Sequence, residues 1–151
     1  MLESDVMSVR LEIIDPSSEH TKILYKHLQN RTHNISNTKK TSFEKHKKFV
    51  KNHPYRVWFM VKEGDEVLGN VYVKYDNSIG LYFAKLISNE RLQEIFRIVG
   101  MQVSPLEAVA SVRNDKFHIN VASSNIDLQN MLVELGWKEI QRTYTVDLVG
   151  Y

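Results

Sequence analysis

Residues 56–83 read RVWFMVKEGDEVLGNVYVKYDNSIGLYF, and their two-residue rhythm decides the fold. Over 56–62, Val57, Phe59 and Val61 share one face of an extended chain while Trp58 and Met60 share the other. Glu63-Gly64-Asp65-Glu66 reads as a hairpin loop, and Val67, Gly69, Val71 and Val73 return along one side. A second turn at Asp76-Asn77 leads into Ile79, Gly80, Leu81, Tyr82 and Phe83. The pattern predicts a three-stranded antiparallel meander.

Upstream, Val9 to Ile14 reads as a first strand closed by Asp15-Pro16. A helix follows, capped by Ser17 or Ser18, with Ile23, Leu24, His27 and Leu28 on its buried face. The polar segment 30–41, with Asn34, Asn37, Lys39 and Lys40, reads as a long loop suited to binding. Residues 42–52 form a second helix whose stripe is Phe43, His46, Phe49 and Val50, ended by His53-Pro54.

Downstream the period becomes helical. Leu92, Ile95, Phe96 and Val99 recur at i, i+3, i+4 and i+7, and Gly100 stops or bends that helix. Ser104-Pro105-Leu106-Glu107 predicts a new helix start, with Ser104 as cap and Glu107 completing a capping box. Phe117, Ile119 and Val121 alternate with His118, Asn120 and Ala122 as a strand. Ser124-x-x-Asp127 opens a last helix, striped by Leu128, Met131, Leu132 and Leu135 and stopped by Gly136. A closing strand runs through Ile140, Tyr144, Val146 and Leu148.

The 151 residues fit one domain, 42% hydrophobic and 25% charged, which excludes disordered and fibrous classes. No cysteine is present, so disulfides, thiolate metal sites and Cys nucleophiles are excluded, and the default compartment is cytoplasmic. A formal charge of +2 names no partner. The lysines of the second helix could steer an anionic substrate or form a solvated face, and Phe43 and Phe49 lie on its core stripe rather than among the charges, which disfavours nucleic acid. No helical His pair with a carboxylate marks a metal centre, and no membrane span is legible. Glu3 and Asp5 stand where a signal peptide would need basic residues.

The element order implies an α/β (α+β) domain with a mixed, mainly antiparallel sheet and helices on both faces. Asn125, Leu132 and Leu135-Gly136-Trp137 before the last strand, with the Trp58-to-Val71 hairpin, resemble the GNAT N-acyltransferase superfamily. His53-Pro54-Tyr55-Arg56 and Ile140-Gln141-Arg142-Thr143-Tyr144 are similar to a branch acting on amino sugars. The resemblance implies acetyl-CoA as donor and a small-molecule amine, such as a nucleotide-sugar, as acceptor. It implies that Tyr82, Ala84, Ser88, Asn120 and Asn125 bind the cofactor, that Tyr82 and His118 are the candidates for proton transfer, and that His53, Arg56 and Trp58 contact substrate.

The alternatives for the same residues are structural. Asn125 reads as a cap, Asn120 as a strand-end polar group, Tyr82 as sheet packing, His53 as a helix stop and Arg56 as a strand-edge charge. Two departures from the family pattern stand out. Residues 84–92, AKLISNERL, contain none of the glycines that let backbone N–H groups approach a pyrophosphate. Leu132 stands where the family often places a Tyr acid. Both departures suit a second class of function, a binding module without acetyl-CoA turnover, or a different acyl donor.

Overall fold

A computed structural model describes residues 8–31 and 41–151. The leading Glu3 and Asp5, His33, and the polar loop with Asn34, Asn37, Lys39 and Lys40 lie outside the described residues. The elements are β1 (Val9–Ile13), α1 (Ser18–Gln29), α2 (Phe43–Lys51), β2 (Val57–Glu63), β3 (Glu66–Val73), β4 (Ile79–Phe83), α3 (Asn89–Gln102) and α4 (Ile126–Glu134). The strands form one antiparallel sheet in the order β1-β2-β3-β4.

Each helix starts where a short polar side chain can satisfy an otherwise unpaired N–H. Ser17 accepts from the His20 N–H, Ser42 from Lys45, Ser88 from Arg91 and Asn125 from Leu128. The alternation of β2 sorts the core into two layers. Phe59 and Val61 join Val71 and Val73 beneath Ile95 and Val99 of α3, while Trp58 and Met60 pack with Leu24 of α1 and Val50 of α2. Helices therefore cover both faces, as the element order implies.

Several expectations need correction. The β2–β3 register shifts between Val61 and Lys62, where Val61 pairs with Gly69 and Lys62 with Val67. The extra residue flips the alternation, so Leu68 joins the α3 layer and Val67 the α1–α2 layer, not the face of Val71 and Val73. α3 passes through Gly100 to Gln102, because that exposed position demands no special backbone and an added Cβ would meet open space. No helix starts at Ser104: Asn77 Oδ1 accepts the Leu106 N–H at 2.8 Å and Asn77 Nδ2 donates to the Leu106 carbonyl at 3.0 Å, diverting both groups from helical bonding.

The last two expected strands also differ. Residues 117–122 meet the sheet only at a parallel bridge between Ser78 and His118, where the Ile79 N–H donates to the His118 carbonyl at 2.8 Å. The segment expected as a closing strand pairs with nothing among the described residues, and all of residues 138–151 are exposed, ending in a 3-10 turn over Leu148–Gly150.

Candidate functional site

β4 is the last strand of the sheet, and its register decides what it offers to a ligand. Ala84 donates its N–H to the Leu68 carbonyl at 2.9 Å, and Lys74 donates to Ser78 at 2.9 Å. In an antiparallel pair, both backbone groups of one residue point to the same neighbour and those of the next point away. Ser78, Gly80, Tyr82 and Ala84 therefore face β3, whereas Leu81 and Phe83 aim their N–H and C=O at the open edge. The backbone groups of Tyr82 and Ala84 are thus turned to β3, and those of Leu81 and Phe83 to the open edge. Because 117–122 leaves β4 directly after the His118 bridge, the two segments diverge around that edge.

Close approach of β3 and β4 is set by glycine. A Cβ on Gly69 would lie 1.9 Å from the Tyr82 carbonyl oxygen, and one on Gly80 would lie 2.0 Å from the ring of Tyr72. Tyr72 in turn stacks on Tyr55, with ring centroids 3.9 Å apart and planes within 5°. Burial pushes the Tyr55 hydroxyl well above the ordinary tyrosine range, with neighbouring Tyr72 adding to the effect and Arg31 opposing it. Tyr82 shifts the same way for the same first reason.

On the α1 side of the sheet a buried polar chain links Trp58, Asn70 and His27, and the ring of Tyr82 packs on its end. Trp58 Nε1 donates to Asn70 Oδ1 at 3.0 Å, and Asn70 Nδ2 lies 3.0 Å from His27 Nδ1. An indole N–H can only donate, so it fixes which end of the Asn70 amide is oxygen. The amide nitrogen must then donate to His27 Nδ1, leaving Nε2–H as the protonated nitrogen of a neutral ring. Burial, assisted by Lys26, lowers the His27 pKa to about 4. The His27 ring packs 4.9 Å from that of Tyr82.

Beyond β4, an open cleft of about 540 Å³ lies among the 108–114 turn, Asp76, His118, Asn120 and the rim residues Ile140 and Gln141. His118 Nδ1 is buried without a hydrogen-bond partner. Asn77 holds the cleft together: it is fully buried, adopts φ 69°, bonds Leu106 in both directions and also donates to the Asn114 carbonyl at 2.8 Å. Burial would raise the Asp76 carboxyl, yet bonds from the Ser78 hydroxyl and N–H hold it below the usual range.

The resemblance would put a diphosphate at the first turn of α3, and the residues there do not fit one. Ser88 Oγ is occupied by the Arg91 N–H at 3.2 Å. Arg91 is ion-paired with Glu63, Lys85 with Glu66 at 3.1 Å, and Asn89 is bonded to Glu134. Glu90 adds a carboxylate to the same turn. Leu132 is 7% exposed and belongs to the core.

The expected site residues therefore separate. Tyr82 faces the His27 chain, and His118 and Asn120 line the cleft. Asn125 and Ser88 serve as helix caps. Trp58 is buried, with its N–H spent on Asn70. Arg56 donates to the Ser104 carbonyl at 2.7 Å, and His53 Nδ1 accepts the Tyr55 N–H at 3.2 Å, its ring packed edge-on to Trp58 and its pKa lowered by burial. Sequence reasoning missed His27, Asn70 and Asn77 as site-forming groups. The polar Asn70 inside an otherwise apolar strand was the available signal for the first two.

Among the described residues no group of three or more His, Asp or Glu could hold a metal ion, and no helix is long and apolar enough to cross a membrane. No family model and no curated protein matches the sequence. Solved structures do. A domain from Methanocaldococcus jannaschii DSM 2661 has a TM-score of 0.68 at 12% identity, over 91% of this chain and 93% of that one. A possible acetyltransferase from Clostridium difficile 630 has a TM-score of 0.59 at 12% identity, over 95% and 98%. An integron cassette protein from V. cholerae has a TM-score of 0.59 at 14% identity, over 94% of each chain. With the antiparallel sheet, the helices on both faces and coverage of nearly the whole chain, the architecture is a mixed α+β fold shared with these solved structures.

Proposed function

We propose that this chain is an N-acyltransferase that moves an acyl group from a pantetheine thioester, acetyl-CoA being the donor to test first, to a primary amine of a small molecule. The observation that carries the reading is the open edge of β4. The backbone groups of Leu81 and Phe83 face the opening where 117–122 diverges, so an extended arm bearing amides can add there as a strand would. Direct attack by an amine asks the protein chiefly for positioning and for donors fixed near the developing charge. The buried, neutral His27 beside Tyr82 provides a fixed dipole on the α1 side of the same strand. Acceptor choice follows the resemblance of 53–56 and 140–144 to enzymes of amino sugars, and the lysines of α2 supply positive field for an anionic nucleotide-sugar.

A second reading, a binding module without acetyl-CoA turnover, is favoured by one observation: the two cations nearest the first turn of α3, Lys85 and Arg91, are both paired with carboxylates. Calorimetric titration with acetyl-CoA, CoA and S-acetyl-pantetheine separates the readings. Acyl transfer through the β4 edge predicts that S-acetyl-pantetheine binds about as well as acetyl-CoA, because the diphosphate adds little. Absence of heat with all three at millimolar ligand would refute the acyltransferase and leave the module.

A further inference from the structure

The α1 side of β4 gathers a cation and tyrosine rings that no described carboxylate answers. Directly paired residues of neighbouring strands share a face, and the pairing of Asn70 with Tyr82 and of Tyr72 with Gly80 puts both tyrosine rings on the side of His27. Tyr72 lies with its ring over Gly80, where a Cβ would collide with it, and stacks on Tyr55. Those two rings form a fixed apolar wall. Arg31 follows His27 by four residues, the spacing that brings side chains together on one helical face. Its N–H donates to the Leu28 carbonyl at 3.4 Å, which continues the last turn of α1.

Other arginines have their charge answered. Arg91 is paired with Glu63 and Arg142 with Glu139, and Arg56 and Arg113 donate to backbone carbonyls. Arg31 is half-buried, and no carboxylate among the described residues pairs with it. Withdrawing a guanidinium from water without an anion is unfavourable, so the position favours a ligand that brings one. Burial raises the Tyr55 and Tyr82 hydroxyls above the ordinary tyrosine range, and Arg31 opposes burial at both. Its field therefore reaches both rings, and no carboxylate among the described residues acts on either. The polar groups assembled here can all donate: the guanidinium, the Tyr82 hydroxyl and the His27 Nε2–H, whose tautomer Asn70 fixes. Such a set recognises an oxyanion.

We propose that the acceptor amine carries an oxyanion, a carboxylate or a phosphate ester on a short linker, and that Arg31 binds it while Tyr72 and Tyr82 flank the linker. This rests on the acyl-transfer reading above and narrows its acceptor. Tyr82 lies between Leu81 and Phe83, whose backbones face the β4 edge, so an amine held by its anion at Arg31 stands beside the strand where the thioester arm adds. Arg31 is then a specificity residue that touches the acceptor and not the reacting atoms. The lysines of α2 attract anions over a distance, whereas a planar guanidinium with two parallel donors selects one at contact. A neutral amine of the same length forfeits that contact.

Matched amines that differ only in the anion test this: phosphoethanolamine against ethanolamine, and β-alanine against its amide, titrated by calorimetry into the full chain with no donor present. At least one anionic amine is expected to bind roughly 10-fold more tightly than its neutral counterpart, and the responding pair tells phosphate from carboxylate. Arg31→Gln is expected to remove the preference and Arg31→Lys to restore part of it, while S-acetyl-pantetheine binds all three chains alike. Equal affinity within both pairs, no binding of any of the four amines, or a preference that survives Arg31→Gln overturns the proposal. Should Arg31→Gln fail to fold, the Arg31 Nε–H resonance of the nitrogen-labelled parent chain decides: it must move when the preferred amine is added, and an unmoved signal overturns the assignment. Pantetheine binding beside amines that show no charge preference would leave the acyltransferase standing and refute the anion site. Anionic amines that bind through Arg31 without pantetheine would support the site and refute the transfer.

Discussion

Acidification should destabilise this protein in a window that His27 defines. In the unfolded chain its imidazole titrates near 6.5, whereas burial first and Lys26 second bring it to about 4 in the folded state. Above pH 6.5 both states are neutral. Between 6.5 and about 4 the unfolded chain takes up a proton that the folded one refuses, so stability present at neutral pH is lost as pH falls. Below 4 both states are charged and this loss is complete. At about 1.4 kcal/mol for each pH unit of that interval, the contribution is about 3 kcal/mol. Urea unfolding at about pH 7.5, 6.5, 5.5 and 4.5 would measure it. His46 and His53 are also lowered by burial and add to the same slope, so the parent chain is compared with His27→Gln, which can still accept from Asn70. The variant should lose about 3 kcal/mol less than the parent over the window. Nitrogen chemical shifts should in parallel show Nδ1 bare and Nε2 protonated at neutral pH. An identical slope in His27→Gln, or a His27 resonance that titrates near 6.5, would refute the buried-neutral assignment.

Other consequences are more local. Asn77→Ala removes three hydrogen bonds and leaves alanine in a left-handed backbone at φ 69°, and should cost about 3–4 kcal/mol by denaturant unfolding, with Asn77→Gly recovering only the backbone share. Gly69→Ala should cost more than about 3 kcal/mol, since its Cβ meets the Tyr82 carbonyl rather than a movable side chain; a loss under 1 kcal/mol (roughly a surface substitution) would contradict the close β3–β4 approach. Asn70→Leu strands the Trp58 N–H and His27 Nδ1 together, for an expected loss of about 2–5 kcal/mol on the same assay. Glu63→Gln with Glu66→Gln frees Arg91 and Lys85, and calorimetry should then show CoA gaining roughly 5- to 10-fold over its parent affinity while S-acetyl-pantetheine is unchanged. Equal affinities for CoA before and after would show that those carboxylates do not compete with a diphosphate.

The local grammar was legible in the sequence because it depends on neighbours a few residues apart. Period-two apolarity placed β2, β3 and β4, and Ser17 and Ser42 stand at helix starts that the structure realises, whereas the last helix is capped by Asn125 one residue after the expected Ser124 opening. The two covered faces followed from the element order. A one-residue bulge opposite Val61 and Lys62 was invisible, since alternation cannot reveal where a register slips, and with it went the facing of Val67. The capping box at Ser104 and Glu107 was locally sound, and Asn77, far away in sequence, outcompeted it for the Leu106 backbone.

The site divides the same way. Sequence singled out Tyr82, His118 and Asn120, of which His118 and Asn120 line the cleft beyond β4 while Tyr82 packs on His27 at the α1 side of the sheet. Only the tertiary structure could show that Leu81 and Phe83, not Tyr82 and Ala84, point their backbones to that edge, because direction depends on which partner carbonyl each N–H meets. Only it could join His27 to Asn70 and so fix a tautomer, since those residues come from a helix and a strand far apart in the chain. Periodicity and capping are short-range and are written in the order of residues; register and long-range hydrogen bonds are settled where separate segments meet.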